Sequence, residues 1–143
     1  MANIGDYALT YAGFEWETPR RFNFGRDVVD EWEGDRPAMI WLGTSGEERR
    51  LTFGDFSQLS YRFANGAREV GVKSDDRVMV LLGKVPEWHA ILTGLLKLGA
   101  IAIRCAPQLR SGDLKFRAEH SGSTMIVSGP EGIGERFQAS AAR

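Results

Sequence analysis

Short runs of apolar residues, separated by stretches with helical periodicity, dominate the second half of the chain. The runs predict three strands, and the continuous apolar residues of the first run, with their β-branched members, indicate burial on both faces of a sheet. They lie at residues 77–82, 100–104 and 124–128. Two helices are predicted between them, at residues 86–98 and 111–120. The order β-α-β-α-β with short connections predicts a parallel sheet with right-handed crossovers.

The first half of the chain has a weaker pattern. Residues 1–21 mix aromatic and charged positions without a clear period, which predicts an irregular arm with room for one helical turn. Asn23 is a suitable N-cap for a short helix over residues 24–33. An apolar stretch at 38–42, a turn of small residues and a returning stretch at 49–53 predict a β-hairpin.

An amphipathic helix is predicted to follow the hairpin. Thr52 and Asp55 form an acidic variant of the capping box that opens a helix. Its apolar stripe consists of Phe56, Leu59, Phe63, Ala67 and Val70. Gly71 is expected to end the helix. The fold class is therefore α/β, a single partial domain in which residues 1–53 form the arm, short helix and hairpin and residues 54–143 form a Rossmann-like α/β unit.

The hairpin turn, Gly43-Thr44-Ser45-Gly46, has the small residues of a loop that binds phosphate through backbone N–H groups. Such a loop also needs a nearby cation and usually a helix behind it. Here Glu47 and Glu48 follow the turn and would repel a phosphate. The interpretation as a hairpin turn is therefore favoured.

Composition and charge exclude several function classes. The 143 residues carry 18 Lys and Arg against 19 Asp and Glu, a net charge of −1, with no basic run. This balance gives no electrostatic footprint for nucleic acid or for an anionic membrane. The apolar runs are too short to span a bilayer, and the N-terminus has no signal-peptide pattern. The single cysteine cannot form an internal disulfide, so a cytoplasmic location is expected.

The residues with chemical potential are few. His89 and Cys105 could form a nucleophile pair, but no third group to orient them is evident, and structural or solvent-exposed roles are favoured. His120 at a helix C-terminus is explained by the helix dipole. Two histidines and one cysteine, widely separated, make a poor metal site. We therefore predict no catalytic residue and no metal ligand in this chain.

A binding edge is the remaining candidate. In open α/β sheets, ligands bind beyond the carboxyl ends of the strands. Those ends are the loops at residues 83–84, 105–108 and 128–130. The segment Gly132-x-Gly134, with Arg136 beside it, is a candidate for contact with an anion, although a plain loop is the favoured interpretation.

Three stretches resemble a known family in order and spacing. They are "YAGFEWETPRRFNFGRDVVDEW" at 11–32, the stretch at 47–103 that includes "RVMVLLGKVPEWHAILTGLLKLGAIAI", and "LRSGDLKFRAEHSGSTMIVSG" at 109–129. Together they are similar to the N-terminal region of the acyl-CoA synthetases, which are AMP-dependent, adenylate-forming synthetases and ligases. The arm and the later "QL" resemble the medium-chain, acetyl-CoA-synthetase-like branch. Arg104 departs from the pattern, since the family usually has Pro at that strand end.

The resemblance implies an activity for a whole enzyme that this chain lacks by itself. Such enzymes use ATP and Mg to convert a carboxylate to an acyl-adenylate, with release of pyrophosphate, and then pass the acyl group to coenzyme A. The family's phosphate loop and catalytic lysine lie downstream of Arg143. We therefore expect the chain to be the first quarter of an acyl-CoA ligase, inactive alone. The alternative is a stand-alone module that binds coenzyme A or a nucleotide, or that docks on a partner chain.

The resemblance also implies contacts with coenzyme A. In the acetyl-CoA-synthetase-like enzymes, loops after two strands hold the nucleotide part of this cofactor. The matching positions here are Ala106, Pro107 and Gln108, together with the later loop, where the family's arginines fall on Gly134 and Phe137 and Arg136 is the neighbouring substitute.

The expected partners are a second copy of the chain or the remaining segment of a synthetase. The physical basis is the predicted sheet, because three helices and a hairpin are expected to be too few to cover strands that are apolar on both faces. Exposed apolar area costs about 25 cal/mol per Å², and open strand edges invite pairing. A homo-oligomer is therefore predicted.

Overall fold

The computed structural model describes residues 5–129 of the chain and confirms the α/β class. Its helices are α1 Tyr7–Ala12, α2 Phe53–Glu69, α3 Pro86–Leu98 and α4 Ser111–Ser121, and a π-helical turn runs over Gly25–Val29. Its strands are β1 Pro37–Leu42, β2 Glu48–Thr52, β3 Arg77–Leu81, β4 Ile101–Cys105 and β5 Met125–Ser128. The predicted division into residues 1–53 and 54–143 stays a prediction.

Strands β3, β4 and β5 form a parallel sheet with β3 in the centre. The order is β4-β3-β5, and the register pairs Arg77 with Ile101 and Val78 with Met125. The connection from β3 to β4 runs through α3, and the connection from β4 to β5 runs through α4. Because β4 and β5 lie on opposite sides of β3, the two connections run in opposite directions along the sheet. Right-handed crossovers then place α3 and α4 on opposite faces of the sheet.

Side-chain packing follows this arrangement. Val78 and Val80 point to the face that α2 and α3 cover, where they pack with Leu95. Met79 and Leu81 point to the other face and pack with residues that include Leu114 of α4. The alternation of strand side chains between two faces thus divides the apolar run of β3 between two clusters.

The cover of the sheet is better than the sequence led us to expect. Val78, Met79 and Val80 are 0% exposed, because helices close both faces over β3. The expectation that this strand would stay uncovered is therefore wrong. Exposure remains at the edges, where Ile101 of β4 is 44% exposed and β5 is only half-buried.

Helix α2 begins as predicted and ends slightly earlier. Thr52 and Asp55 make the reciprocal hydrogen bonds of a capping box. The stripe packs inward except at Val70, which is 71% exposed because the helix has already ended at Glu69. Gly71 then takes a positive φ of 98°, a conformation that glycine adopts without strain.

The short helix predicted over residues 24–33 is smaller than expected. Asn23 does act at its start, since its Oδ1 accepts a hydrogen bond from the Arg26 N–H at 3.3 Å. The helical turn ends at Val29, and the Asp30 N–H donates to the Gly25 carbonyl. The Asp30 side chain, at the C-cap of this turn, accepts hydrogen bonds from Lys97 of α3 and Ser57 of α2.

The arm and the hairpin lie on the outside of this core. Every residue from 5 to 22 is exposed, including all of α1. Strands β1 and β2 pair antiparallel, with Ile40 opposite Arg50, so the hairpin interpretation of Gly43–Gly46 is confirmed. No helix within residues 5–129 is both long and apolar enough to cross a membrane.

Candidate functional site

A cavity of about 950 Å³ lies at the carboxyl ends of β3 and β4. The loop after β3 leads to α3 on one face of the sheet, and the loop after β4 leads to α4 on the other. Neighbouring strands whose connections part in this way leave a crevice between them, which is the usual ligand position in open α/β sheets. The cavity has the size of a small-molecule site.

The hairpin forms the outer wall of the cavity. The Trp41 Nε1–H donates to the Lys84 carbonyl at 2.7 Å and so joins β1 to the loop after β3. Arg49 of β2 makes an ion pair with Glu87 of α3 at 2.8 Å. Burial alone would raise the pKa of Glu87, but the hydrogen bond from its own backbone N–H and the Arg49 guanidinium hold that pKa below its usual value. Glu87 is therefore a carboxylate at neutral pH and keeps the hairpin in place.

The cavity combines apolar walls with a cationic rim. Apolar side chains from three elements form the walls, and they are Met39, Ile40, Trp41, Leu82, Val85 and Trp88. Lys84, Arg104, His89 and Gln108 supply the polar groups. Within the described part of the chain, no Asp or Glu lines this cavity. An organic anion with an apolar or aromatic body matches this lining.

His89 and Cys105 both line the cavity, but they do not form a nucleophile pair in the structure. The Cys105 Sγ–H points to the Ile103 carbonyl at 3.7 Å, and the His89 ring packs edge-on against Trp88 and Phe56. Burial raises the pKa of the Cys105 thiol, and the nearby Arg117 charge offsets this only in part. The thiol is therefore protonated and a weak nucleophile at neutral pH.

The structure places some of the predicted coenzyme A positions and not others. Ala106, Pro107 and Gln108 follow β4 and line the mouth of the cavity. Arg136 and the segment Gly132-x-Gly134 lie outside the described residues. Among residues 5–129, no group of three or more His, Cys, Asp or Glu side chains is arranged to hold a metal ion.

Sequence reasoning missed the part of the cavity that the hairpin contributes. Trp41 and Lys84 are 43 residues apart and meet through one side-chain hydrogen bond, which no local pattern encodes. Arg104 was noted only as a departure from a family pattern, yet it is exposed and faces the cavity. A signal was present in the sequence for Lys84 and Arg104, since both lie near the carboxyl ends of two neighbouring parallel strands, and those ends meet at one edge of the sheet.

Comparison with known proteins defines the class of this protein. Residues 26–142 match the family model described as AMP-binding enzyme. This match covers most of the chain, so the chain belongs to the AMP-binding enzyme family.

Several of the proteins similar to this chain are acyl-CoA synthetases. The chain is 33% identical to the mitochondrial acyl-coenzyme A synthetase ACSM3 of Mus musculus, over 88% of this chain and 23% of the relative. It is 36% identical to the mitochondrial ACSM2 of Rattus norvegicus, over 83% of this chain and 22% of the relative. The chain thus spans less than a quarter of the curated relatives it matches. Their names place them in mitochondria, and the cytoplasmic location of this chain stays a prediction.

Solved structures support the same fold. An acyl-CoA synthetase of Brucella canis superposes with a TM-score of 0.76 over 88% of this chain and 23% of that one, at 24% identity. The N-terminal domain of FACL13 from Mycobacterium tuberculosis gives 0.62 over 66% of this chain and 24% of that one, at 26% identity. The fold is therefore that of the N-terminal region of adenylate-forming enzymes.

Proposed function

We propose that this chain is the N-terminal segment of an AMP-forming acyl-CoA ligase of the medium-chain branch. The observation that carries the proposal is the 33–36% identity to acyl-coenzyme A synthetases over 83–88% of the chain. The reaction joins a carboxylic acid to coenzyme A in two steps. ATP first converts the acid to an acyl-adenylate with loss of pyrophosphate, and the thiol of coenzyme A then displaces AMP.

The role of this segment in the reaction is binding rather than chemistry. The side chains that line the cavity offer cations and apolar walls but no activated nucleophile, because the Cys105 thiol is protonated. ATP, Mg and the catalytic lysine would be held by the remainder of a synthetase, either further along the same polypeptide or on a partner chain. We expect the 143 residues alone to bind without turning over.

Coenzyme A is the ligand we assign to the cavity mouth, with contacts at Ala106, Pro107 and Gln108. Arg136, the further predicted contact, lies outside the described residues. The phosphates of coenzyme A are anionic and match the rim formed by Lys84 and Arg104, and its adenine and pantetheine are compatible with the apolar walls. The stand-alone binding module remains the second candidate function, since the same cavity is present without the rest of an enzyme.

Titration calorimetry with coenzyme A tests the binding assignment. Gln108→Glu keeps the shape of the side chain and adds a negative charge at the cavity mouth, so we expect CoA affinity to fall about 3- to 10-fold at low salt. The matched control is Asn65→Asp, which adds the same charge on the exposed surface of α2 and should leave affinity unchanged. Absence of binding at millimolar coenzyme A, or equal loss in both variants, contradicts the assignment.

Assays of the whole reaction separate the ligase segment from the stand-alone module. We expect the 143-residue chain with ATP, Mg, coenzyme A and a series of short- to medium-chain acids to release no sustained AMP. Replacing the matching quarter of a rat ACSM2 enzyme by this chain should give a hybrid that releases AMP in an acid-dependent way. A folded but inactive hybrid, together with CoA binding by the isolated chain, would favour the module instead.

A further inference from the structure

Arg104 lies at the end of a row of strand side chains that faces α3. Side chains of a strand alternate between the two faces of a sheet, so Ala102 and Arg104 share one face. Ala102 packs in the cluster that α2 and α3 cover, whereas Ile103 and Cys105 pack on the α4 side. Arg104 is therefore on the α3 face, in register with Val80 of β3, where it lines the cavity.

The acidic side chain at the start of α3 is already paired. Glu87 is the acidic residue in the first turn of α3, and its carboxylate makes an ion pair with Arg49 at 2.8 Å. Among residues 5–129, neither Arg104 nor Lys84 has an acidic partner, and no Asp or Glu lines the cavity beside them. Within this part of the chain, both cationic side chains are therefore available to a ligand.

The backbone of α3 does not provide an anion site at this end of the cavity. Pro86 occupies the first helical position and has no N–H. The Glu87 N–H is hydrogen-bonded to its own side chain, and the Trp88 N–H donates to the Val85 carbonyl at 3.1 Å. Because these N–H groups are absent or already used, an anion in the cavity depends on cationic side chains rather than on the helix.

We propose that Arg104, together with Lys84, is a specificity-determining residue that selects ligands with a phosphate monoester and so prefers coenzyme A to dephospho-coenzyme A. This inference rests on the proposed function, in which coenzyme A occupies the cavity mouth. Two cations without acidic partners match a group of about two negative charges, and a phosphate monoester carries about −1.5 to −2 at neutral pH. A guanidinium also binds such a group through two parallel N–H bonds. The carboxylate of an acyl substrate carries only a single charge.

The apolar wall beside these cations suits the group that carries the monoester. In coenzyme A the monoester is attached to the ribose of adenosine, so a planar base lies close to it. Trp41 and Trp88 line the same cavity, and the Trp41 ring is held in place by the hydrogen bond of its Nε1–H to the Lys84 carbonyl. Aromatic side chains stack on bases of any sequence. The wall and the cations therefore favour the same end of coenzyme A.

Calorimetry of the full chain with coenzyme A and with dephospho-coenzyme A tests the proposal. We expect the wild type to bind coenzyme A about 10-fold more tightly. Arg104→Gln should weaken coenzyme A binding by about 10-fold and change dephospho-coenzyme A binding by less than about 2-fold, so that the preference disappears. Arg104→Lys keeps the charge without the planar fork and should retain part of the preference. Arg62→Gln is the matched control, because Arg62 is an exposed arginine of α2 outside the cavity lining, and it should leave both affinities unchanged.

The outcomes separate this inference from the proposed function. Equal affinity of the wild type for the two ligands overturns the monoester preference and leaves coenzyme A binding intact. An Arg104→Gln variant that loses affinity for both ligands alike also overturns it, because Arg104 would then contact a part that both share. So does an Arg104→Gln variant that loses binding of octanoate but keeps that of coenzyme A, since Arg104 would then serve the acid. Absence of binding of either coenzyme at millimolar concentration overturns both the inference and the assignment of coenzyme A to the cavity.

Discussion

Helix α3 makes an ion pair with an element of the first 53 residues at each of its ends. These two contacts, called junctions here, have similar distances but differ in how deeply their side chains are buried. Near the C-terminus of α3, Lys97 pairs with Asp30 beyond the π-helical turn at 2.6 Å. Near its N-terminus, Glu87 pairs with Arg49 of the hairpin at 2.8 Å. The Lys97 and Asp30 side chains are 3% and 19% exposed, whereas the Arg49 and Glu87 side chains are 44% and 47% exposed.

Burial gives the Lys97 junction more partners than the hairpin junction. The Asp30 carboxylate also accepts hydrogen bonds from Ser57 at 2.7 Å and Tyr61 at 2.9 Å, both on α2. The Lys97 ammonium lies 3.6 Å from the centre of the Tyr61 ring. Three elements therefore meet at one desolvated ion pair. Removal of one charged side chain leaves the opposite charge buried without its partner. At the Glu87 end, water replaces whatever is removed, and exposed pairs of this kind contribute little.

Removing Lys97 should have the largest effect. Lys97→Met keeps the length of the aliphatic stem and leaves Asp30 charged and largely buried, so we expect a loss of about 3 kcal/mol in the free energy of unfolding. Urea unfolding measures this loss. The control Lys115→Met removes an exposed lysine of α4 and should change stability by less than about 0.5 kcal/mol. Combining Lys97→Met with Asp30→Asn should recover part of the loss, and a single-variant loss below about 1 kcal/mol would contradict this account.

The close approach of the π-helical turn to α3 gives the second prediction. A Cβ on Gly25 would lie 2.6 Å from the Lys97 Cγ and 3.1 Å from the Thr93 carbonyl oxygen, neither of which can move away easily. Gly25→Ala should therefore cost about 1–3 kcal/mol through overpacking. Gly34→Ala, just before β1, is the matched change, because a Cβ there would meet only the Gly54 Cα, at an ordinary 3.9 Å. Equal losses in the two variants would show that the close approach of Gly25 to α3 is not the cause of the loss.

Acid should weaken the buried junction specifically. Burial acts to raise the pKa of Asp30, but hydrogen bonds from Lys97, Ser57 and Tyr61 outweigh it and lower that pKa below the ordinary value of 3.8. A lowered carboxyl pKa adds stability that is complete well above 3.8 and is lost as the pH falls through the folded-state pKa. The stability difference between wild type and Asp30→Asn should therefore shrink between about pH 6 and about pH 3. A difference that stays constant over this range would show that ionisation of Asp30 does not contribute to the pH dependence of stability.

Breaking the exposed pair should have the smallest effect. Arg49→Ala removes the partner of Glu87, and we expect a loss of less than about 1 kcal/mol that disappears in about 0.5 M NaCl. Lys97→Met should keep most of its effect in the same salt, because solvent ions do not reach a side chain that is 3% exposed. Chemical unfolding of both variants with and without added NaCl makes the comparison. A larger and salt-resistant loss in Arg49→Ala would reverse the order of the two junctions.

The elements that the sequence predicted well are those whose signals are local. Pro86 opens α3 and Gly99 closes it in the left-handed conformation, and each acts through its own backbone. Thr52 reaches only three residues to cap α2. The apolar run of β3 is likewise a property of consecutive residues. Periodicity and capping therefore predicted the α/β order from β1 onward, whereas the helical segments before β1 differ from the prediction in type and extent.

The junctions and the cavity wall could not be predicted, because they depend on contacts between distant residues. In the sequence, Lys97 is only a cation near the end of a helix. No neighbouring residue indicates that Lys97 pairs with Asp30, which lies 67 residues earlier. The Trp41 contact to Lys84 is of the same kind. The site positions at 106–108 could be predicted from the sequence only because ligands of open α/β sheets generally bind at the carboxyl ends of the strands.

The strand order β4-β3-β5 also affects how the protein is made. On the ribosome, β3 can pair with β4 soon after residue 105 emerges, but its other edge must wait for residues 125–128. At roughly 5–20 residues per second, this edge stays open for about 1–5 s during translation. For that time the nascent chain displays an unpaired apolar strand, the kind of surface on which chaperones act and at which misassembly begins.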